Sequence, residues 1–167
     1  MLIQKKNLTL RVLCILLLIL SIGSIGFCAD AAPLPPNINI VPPGPNVPED
    51  LARLSGKWVG TLSISAGNGK NWGDTTQHVL IVEKIDEVGV ITVIYARGDF
   101  QALRWYPTKA FWARYKATWS ADSKELNVSY PYENNQANIA YKLTADGKLT
   151  AAGQIGNENR KYSLHRE

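Results

Sequence analysis

The fold is decided by the stretch at positions 111–119, which reads FWARYKATW. Its odd-numbered positions are apolar or aromatic, from Phe111 through Tyr115 to Trp119, whereas the even-numbered positions include the charged Arg114 and Lys116. Successive side chains of a β-strand point to opposite faces of the sheet, so a period of two indicates one buried and one solvated face. This stretch therefore predicts a strand of an antiparallel sheet.

The same alternation recurs on both sides of this stretch. We predict eight strands, over the runs 57–66, 77–85, 90–97, 110–119, 125–130, 137–143, 149–155 and 160–166. Turn residues separate the runs, and the gaps leave no room for crossover helices. Consecutive antiparallel strands predict an all-β, up-and-down barrel, closed so that no sheet edge remains. The alternative is a two-sheet β-sandwich made from the same strands.

Two of the runs are apolar on both faces, over 79–82 and 90–94. Their outer face needs a cover, which either the N-terminal tail or a partner chain could supply. The cleaner runs predict inward tyrosines at Tyr115, Tyr130, Tyr141 and Tyr162. For His78 and His165, the two histidines, alternation leaves open whether the side chain is buried.

The first run opens with the sequence LSGKWVG at positions 54–60. This resembles the Gly-x-Trp opening strand of the calycin (lipocalin-like) group of barrels, with Gly56 and Trp58 in the motif positions. In that group a cation late in the last strand packs across the tryptophan, so the resemblance gives Arg166 this structural role. Over roughly residues 51–167, the chain also resembles small exported bacterial barrel domains of unassigned function. The resemblance implies a barrel and no particular ligand.

Residues 1–31 have the segment order of a secretory signal peptide. Lys5, Lys6 and Arg11 precede an apolar run, and small residues follow it up to Ala31. We expect cleavage after Ala31, or alternatively nearer Cys28, and a secreted or periplasmic protein with no membrane span once the signal is removed. The alternative is attachment to the membrane through an uncleaved N-terminal segment, although the apolar run is shorter than the ~20 residues that a span needs.

Proline marks the boundary between the tail and the barrel. Seven of the nine prolines lie between Pro33 and Pro48, and this composition favours extended backbone over a packed core. We therefore predict a signal peptide over 1–31, a Pro-rich flexible linker over 32–50 and a β-barrel domain over 51–167.

Charge and cysteine content exclude several classes of function. The 167 residues carry a net charge of +4, and removal of residues 1–31 lowers it to +2, which is too weakly basic for a nucleic-acid partner. The two cysteines, Cys14 and Cys28, lie in the leader, so the mature chain offers no disulfide or thiolate metal site. No catalytic or metal-binding spacing is present. We expect no catalytic residue, no metal and no cofactor, with an enzyme of unrecognised type as an alternative.

Connection lengths indicate which end of the barrel could bind a ligand. The connections after the odd-numbered runs are long and aromatic, with Trp72, Phe100, Trp105 and Tyr106, whereas those after the even-numbered runs are short. We expect these four residues and the inward tyrosines to bind a small amphipathic or aromatic ligand, or a partner protein's apolar segment. Alternatively, the loops plug the barrel and the tyrosines fill its core, which would suit a structural or accessory module that packs on another protein.

We expect the exported protein to begin near Ala32 and to be soluble, because the small residues before it satisfy the cleavage pattern. The intact mass of protein recovered from outside the cytoplasm checks this expectation. A mass that retains residues 1–31, or that includes a lipid on Cys28, would contradict it.

Overall fold

The structure is a computed structural model that describes residues 31–66, 73–87, 89–100, 109–132 and 135–167. Its elements follow in chain order: α1 (Glu49–Ala52), β1 (Gly56–Ala66), β2 (Gly73–Ile85), β3 (Ile91–Arg97), β4 (Phe111–Ser120), β5 (Glu125–Tyr132), β6 (Asn135–Leu143), β7 (Leu149–Ile155) and β8 (Glu158–Arg166). Over these ranges, no helix has both the length and the apolar character needed to cross a membrane.

The eight strands form a closed antiparallel barrel in the order β1 to β8. Each strand pairs with the next in the chain, and β8 returns to pair with β1, so that Trp58 lies opposite Arg166. The predicted all-β up-and-down barrel is therefore confirmed, and the β-sandwich is excluded. All eight predicted runs coincide with strands; the largest difference is at β2, which begins at Gly73 rather than at residue 77.

One end of the barrel, here called the closed end, is where β1 begins and β8 finishes. Trp58 is buried there, and its indole Nε1 donates a hydrogen bond to the carbonyl oxygen of Leu54 at 2.9 Å. The guanidinium of Arg166 lies 4.9 Å from the centre of the Trp58 ring and donates to the carbonyl oxygen of Arg53. Gly56, whose φ of +122° is difficult for other residues, brings the chain into β1 beside Arg166. These contacts join the first and last strands across the barrel seam.

A β-bulge at Glu83 breaks the regular pairing of β2 with β3. Val82 pairs with Val93, but the next pair is Lys84 with Thr92, so Glu83 is an extra residue. Its side chain is buried on the outside of the barrel, where it accepts a hydrogen bond from Arg114 Nε at 2.8 Å. The bulge therefore places a carboxylate on the outer surface, beside Arg114.

The N-terminal segment 31–47, here called the strap, contacts the outer faces of β1, β2 and β3. Ala32 and Leu34 of the strap pack with an apolar outer patch made of Val59, Val79, Ile81, Ile94 and Ala96. The cover that these doubly apolar strands require is thus supplied by the tail of the same chain. Although residues 32–50 were predicted as a flexible linker, the strap lies against the barrel because it buries this apolar surface.

Hydrogen bonds fix the strap at several points. The backbone N–H of Ala32 donates to Gln77 Oε1, and that of Val41 donates to the carbonyl oxygen of Glu83, both at 2.7 Å. Arg114, which already bonds Glu83, also donates to the carbonyl oxygen of Asn37 at 2.5 Å. Proline suits such a segment because it has no N–H to satisfy and little backbone freedom to lose.

We expect Trp58→Ala to lower the free energy of unfolding by about 3–5 kcal/mol, as is typical when a buried aromatic side chain is truncated. Arg166→Ala should cost less, because a cation–π contact contributes only ~0.5–2 kcal/mol. The two effects should be non-additive, since the side chains touch. Urea unfolding of both single variants and the double variant measures this coupling, with Lys161→Ala, on the exposed face of β8, as the additive control. Independent effects of Trp58→Ala and Arg166→Ala would contradict the contact.

Candidate binding site inside the barrel

Six aromatic side chains, each from a different strand, meet in the barrel interior, and we call them the tyrosine cluster: His78, Tyr95, Tyr115, Tyr130, Tyr141 and Tyr162. Their rings form a connected set, with centres 4.5 Å apart for His78 and Tyr95, 5.3 Å for Tyr95 and Tyr130, and 5.4 Å for Tyr141 and Tyr162. Such separations allow favourable tilted and offset ring contacts. The sequence predicted four of the six, and the structure brings those four together.

His78 is fully buried and both of its ring nitrogens are engaged. Nδ1 lies 2.7 Å from the carbonyl oxygen of Ala96, which can only accept, so Nδ1 carries the proton. Burial lowers the pKa of His78 to about 3, so the ring is neutral at physiological pH and Nε2 is an acceptor. The hydroxyl of Tyr141 therefore donates to Nε2, across 2.9 Å. His78 orients Tyr141 and has no nitrogen left to act as a base.

Arg160 brings a positive charge to the side of the cluster nearer the loop end, which is the end where β1, β3, β5 and β7 finish. Its guanidinium donates to the hydroxyl oxygen of Tyr130 at 2.6 Å and to Glu158 Oε2 at 2.7 Å. Burial alone would lower the pKa of Arg160, but Tyr130, Tyr162 and the carboxylate of Glu158 raise it above its usual value. Arg160 is therefore a permanent cation inside the barrel.

Arg97, the last residue of β3, places a second guanidinium between aromatic rings. Its Cζ lies 5.1 Å from the centre of the Phe100 ring and 4.8 Å from that of Phe111. Phe100, predicted as an exposed rim contact, is only 2% exposed and packs with the core. It therefore closes part of the loop end, the arrangement expected if the aromatic connections plug the barrel.

Two hydroxyls of the cluster lack hydrogen-bond partners. Tyr95 and Tyr162 are 1% and 3% exposed, and their hydroxyl oxygens reach no hydrogen-bond partner. The two side chains interact: burial is the largest cause that raises the pKa of both, Tyr95 raises that of Tyr162 further, and Tyr162 lowers that of Tyr95. Both phenols therefore remain protonated inside the barrel.

The remaining sequence candidates, Trp72, Trp105 and Tyr106, lie outside the described residues. Four residues of the site were not among the candidates: His78, Tyr95, Arg97 and Arg160. Arg160 could have been found, because it alternates in phase with Tyr162 on β8. His78 and Tyr95 lie on β2 and β3, where both faces are apolar, so the pattern does not show which face is inside.

No family model, curated protein or solved structure matches the chain. The relation to the calycin group is therefore a proposal that rests on the residues of this chain.

We expect His78 to make stability depend on pH. Its pKa is near 6.5 in the unfolded chain and about 3 in the folded one, so the unfolded state binds a proton that the folded state excludes. This contribution is fully present above pH 6.5 and is lost as pH falls toward 3, at a slope of up to about 1.4 kcal/mol per pH unit.

His78→Gln should remove this slope, because glutamine does not titrate. Urea unfolding between about pH 4 and pH 7 compares this variant with the parent and with His165→Gln, which replaces an exposed imidazole. The parent and His165→Gln should share the slope. Parallel pH profiles for the parent and His78→Gln would contradict the buried, neutral state of His78.

Proposed function

We propose that this protein is an exported, calycin-like barrel that binds a small amphipathic or aromatic ligand at its loop end without catalysing a reaction. The observation that carries the proposal is the polar and aromatic lining inside the barrel. Ligand sites of this kind combine aromatic walls with a few placed polar groups. The tyrosine cluster, together with Arg97 and Arg160, has this composition.

The two halves of the barrel interior differ in a way that stability alone does not explain. Toward the closed end the core is apolar and fully buried, as at Val82, Val93, Leu149 and Leu164. Apolar side chains could fill the loop-end half equally well, without the cost of burying guanidinium and hydroxyl groups. Proteins tend to break such packing rules at functional sites, which favours a ligand in this half.

The position of His78 supports binding rather than catalysis. A general base needs a pKa near the working pH and a free nitrogen that faces the substrate. His78 has a pKa of about 3, and its two nitrogens bond Ala96 and Tyr141. The imidazole therefore holds Tyr141 in place, as an orienting group would in a binding site.

Two features support the calycin relation and export. The closed eight-stranded barrel and the packing of Arg166 on Trp58 match the geometry that the resemblance implies. The order of charged, apolar and small residues over 1–31 is that of a secretory signal. A secreted or periplasmic binding protein is consistent with both features.

One observation favours the alternative of an accessory module that packs on another protein. The strap exposes Ile38, Ile40 and Val41, each with 36–41% of its surface accessible. A depression of about 430 Å³ between the strap and β4 borders Ile38 and Val41. Exposed apolar residues beside a depression can form a protein contact surface.

A binding measurement separates the two functions. We expect small aromatic and amphipathic compounds to bind the exported protein in isothermal titration calorimetry, and Trp72→Ala and Trp105→Ala to weaken that binding about tenfold each, the effect of losing ~1.4 kcal/mol of contact. Trp112→Ala is the matched control, because Trp112 is exposed on the outer face of β4.

The outcome also shows whether the aromatic connections at the loop end bind a ligand or instead fill that end of the barrel. Weaker binding by Trp72→Ala and Trp105→Ala, with an unchanged melting temperature, would support a ligand site at the loop end. No binding by the parent, together with a large loss of stability in Trp72→Ala or Trp105→Ala, would overturn the proposal and favour the accessory module.

A further inference from the structure

Although the eight strands close into a barrel, β6 and β7 are not paired along their whole length. Their paired residues are 142–143 of β6 and 149–150 of β7, next to the closed end. Beyond these pairs, residues 135–141 pair with β5 alone and residues 151–155 pair with β8 alone, within the part of the chain that the structure describes. Toward the loop end, the two strands therefore have unpaired edges that face each other across a gap.

Gly153 shows that this gap is open to solvent. The inward positions of β7 are Leu149, Ala151, Gly153 and Ile155, and of these four only Gly153 is exposed. A Cβ atom added to Gly153 would meet no heavy atom of another described residue within 4 Å. At this position β7 has neither a side chain nor a strand beside it, so the wall leaves room for a side chain from outside.

Neither edge of the gap carries the residues that usually prevent an added strand from pairing. Natural sheets protect free edges with charged side chains, above all lysine, and with proline. Residues 135–141 read NQANIAY and residues 151–155 read AAGQI, without a charge or a proline in either. Both edges are therefore chemically suited to accept another strand.

A second incompletely paired region of the same barrel does carry such residues. β4 pairs with β5 over residues 117–120, but over residues 111–116 it has no pairing with the described part of β5. This edge carries the charged Arg114 and Lys116, and the facing strand β5 contains Pro131. Because only one of the two gaps is protected, the gap between β6 and β7 is the one available to an added strand.

We propose that the gap between β6 and β7 binds an extended, uncharged segment of another polypeptide as an added β-strand. One strand placed there bonds β6 along one edge and β7 along the other, so it completes the pairing of both. In a second folded copy of this chain, β6 and β7 each keep a neighbour on their other side, so neither can fill the gap. This site goes beyond the proposed function and does not rest on it.

The side chains that border the gap indicate the sequence of the added strand. Ile139 of β6 and Ala151 and Ile155 of β7 are apolar and buried on the inner face. The added strand shares this inner face, so its residues should alternate between apolar and polar. The open space beside Gly153 suits a β-branched apolar side chain at the centre of the segment. Backbone hydrogen bonds supply the affinity, and this central side chain supplies the selectivity.

A synthetic peptide tests the site in the exported protein. The probe is a capped heptapeptide of alternating threonine and valine, labelled with fluorescein and titrated by fluorescence anisotropy. We expect it to bind. The same peptide with N-methyl groups on its valine amides should bind at least about tenfold more weakly, because methylation removes the N–H donors along one of its edges.

Gly153→Val tests the position of the site. Valine fills the space that the central side chain of the peptide needs, so the affinity should fall about tenfold. The melting temperature should stay the same or rise, because the new side chain meets open space and valine favours a strand. Thr61→Val is the matched control, since Thr61 is exposed on β1, which is paired along both edges. It should change neither affinity nor melting temperature.

Hydrogen exchange followed by mass spectrometry locates the bound peptide. In the free protein, the amides of residues 136–141 and 151–155 should exchange faster than those of β1, because each segment lacks a strand on one side. The peptide should slow exchange in both segments of the parent. In Gly153→Val the same peptide concentration should slow it much less.

Several results would overturn the proposal. These are no binding of the heptapeptide, equal affinity for its methylated form, or unchanged affinity in Gly153→Val. Slow exchange of residues 151–155 in the free protein would mean that this chain already covers the gap. Dimerisation in analytical ultracentrifugation that Gly153→Val abolishes would replace the partner segment by a second copy. None of these results affects the small-ligand site, which is tested by Trp72→Ala and Trp105→Ala.

Discussion

The pairing of β1 with β8 is the constraint on which the rest of the structure depends. It requires a close approach of the two backbones at Gly60, where a Cβ atom would lie 2.0 Å from the carbonyl oxygen of Ser163. With the register fixed there, Trp58 faces Arg166, and Tyr162 falls on the inner surface. A slip of one residue would exchange the two faces of β8 and send Tyr162 to the outside. Closure therefore fixes both the packing and the identity of the side chains inside.

The sequence predicts a strand and its inward face wherever one face is wet. Along β4 the charged Arg114 and Lys116 alternate with Tyr115, so both the strand and its orientation could be inferred. Along β2 and β3 neither face is polar, and the inward positions of His78 and Tyr95 could not be inferred. The outer faces of these strands are also apolar because the strap covers them, and that tertiary contact is not contained in the local pattern. The sequence therefore predicts only part of the site. The tyrosines on strands with one polar face could be identified, whereas His78 and Tyr95, on strands that are apolar on both faces, could not.

The strap explains the composition of these two strands. An antiparallel strand usually has one solvated face, but Ile81 and Ile94 are buried on the outside of the barrel by residues from the proline-rich segment. The proline content and this packing are compatible, because a segment with little conformational freedom loses less entropy when it is ordered. The bulge contributes a carboxylate, Glu83, that holds Arg114 and the backbone N–H of Asn39. The segment that looks like a spacer is thus part of the folded unit.

The two halves of the barrel interior differ in the chemistry of their buried side chains. Around Trp58 the core is apolar and closed, and contacts of this type supply most of the free energy of folding. Toward the loop end, His78 and Arg160 are buried at a cost in desolvation, which hydrogen bonds to Tyr141 and Tyr130 only partly offset. Under the proposed function, a ligand bound at the loop end would recover part of that cost, so its binding should stabilise the folded state. If the proposed function holds, the bonds that orient Tyr141 and Tyr130 are already formed without a ligand, and a site that is preorganised in this way loses less entropy on binding.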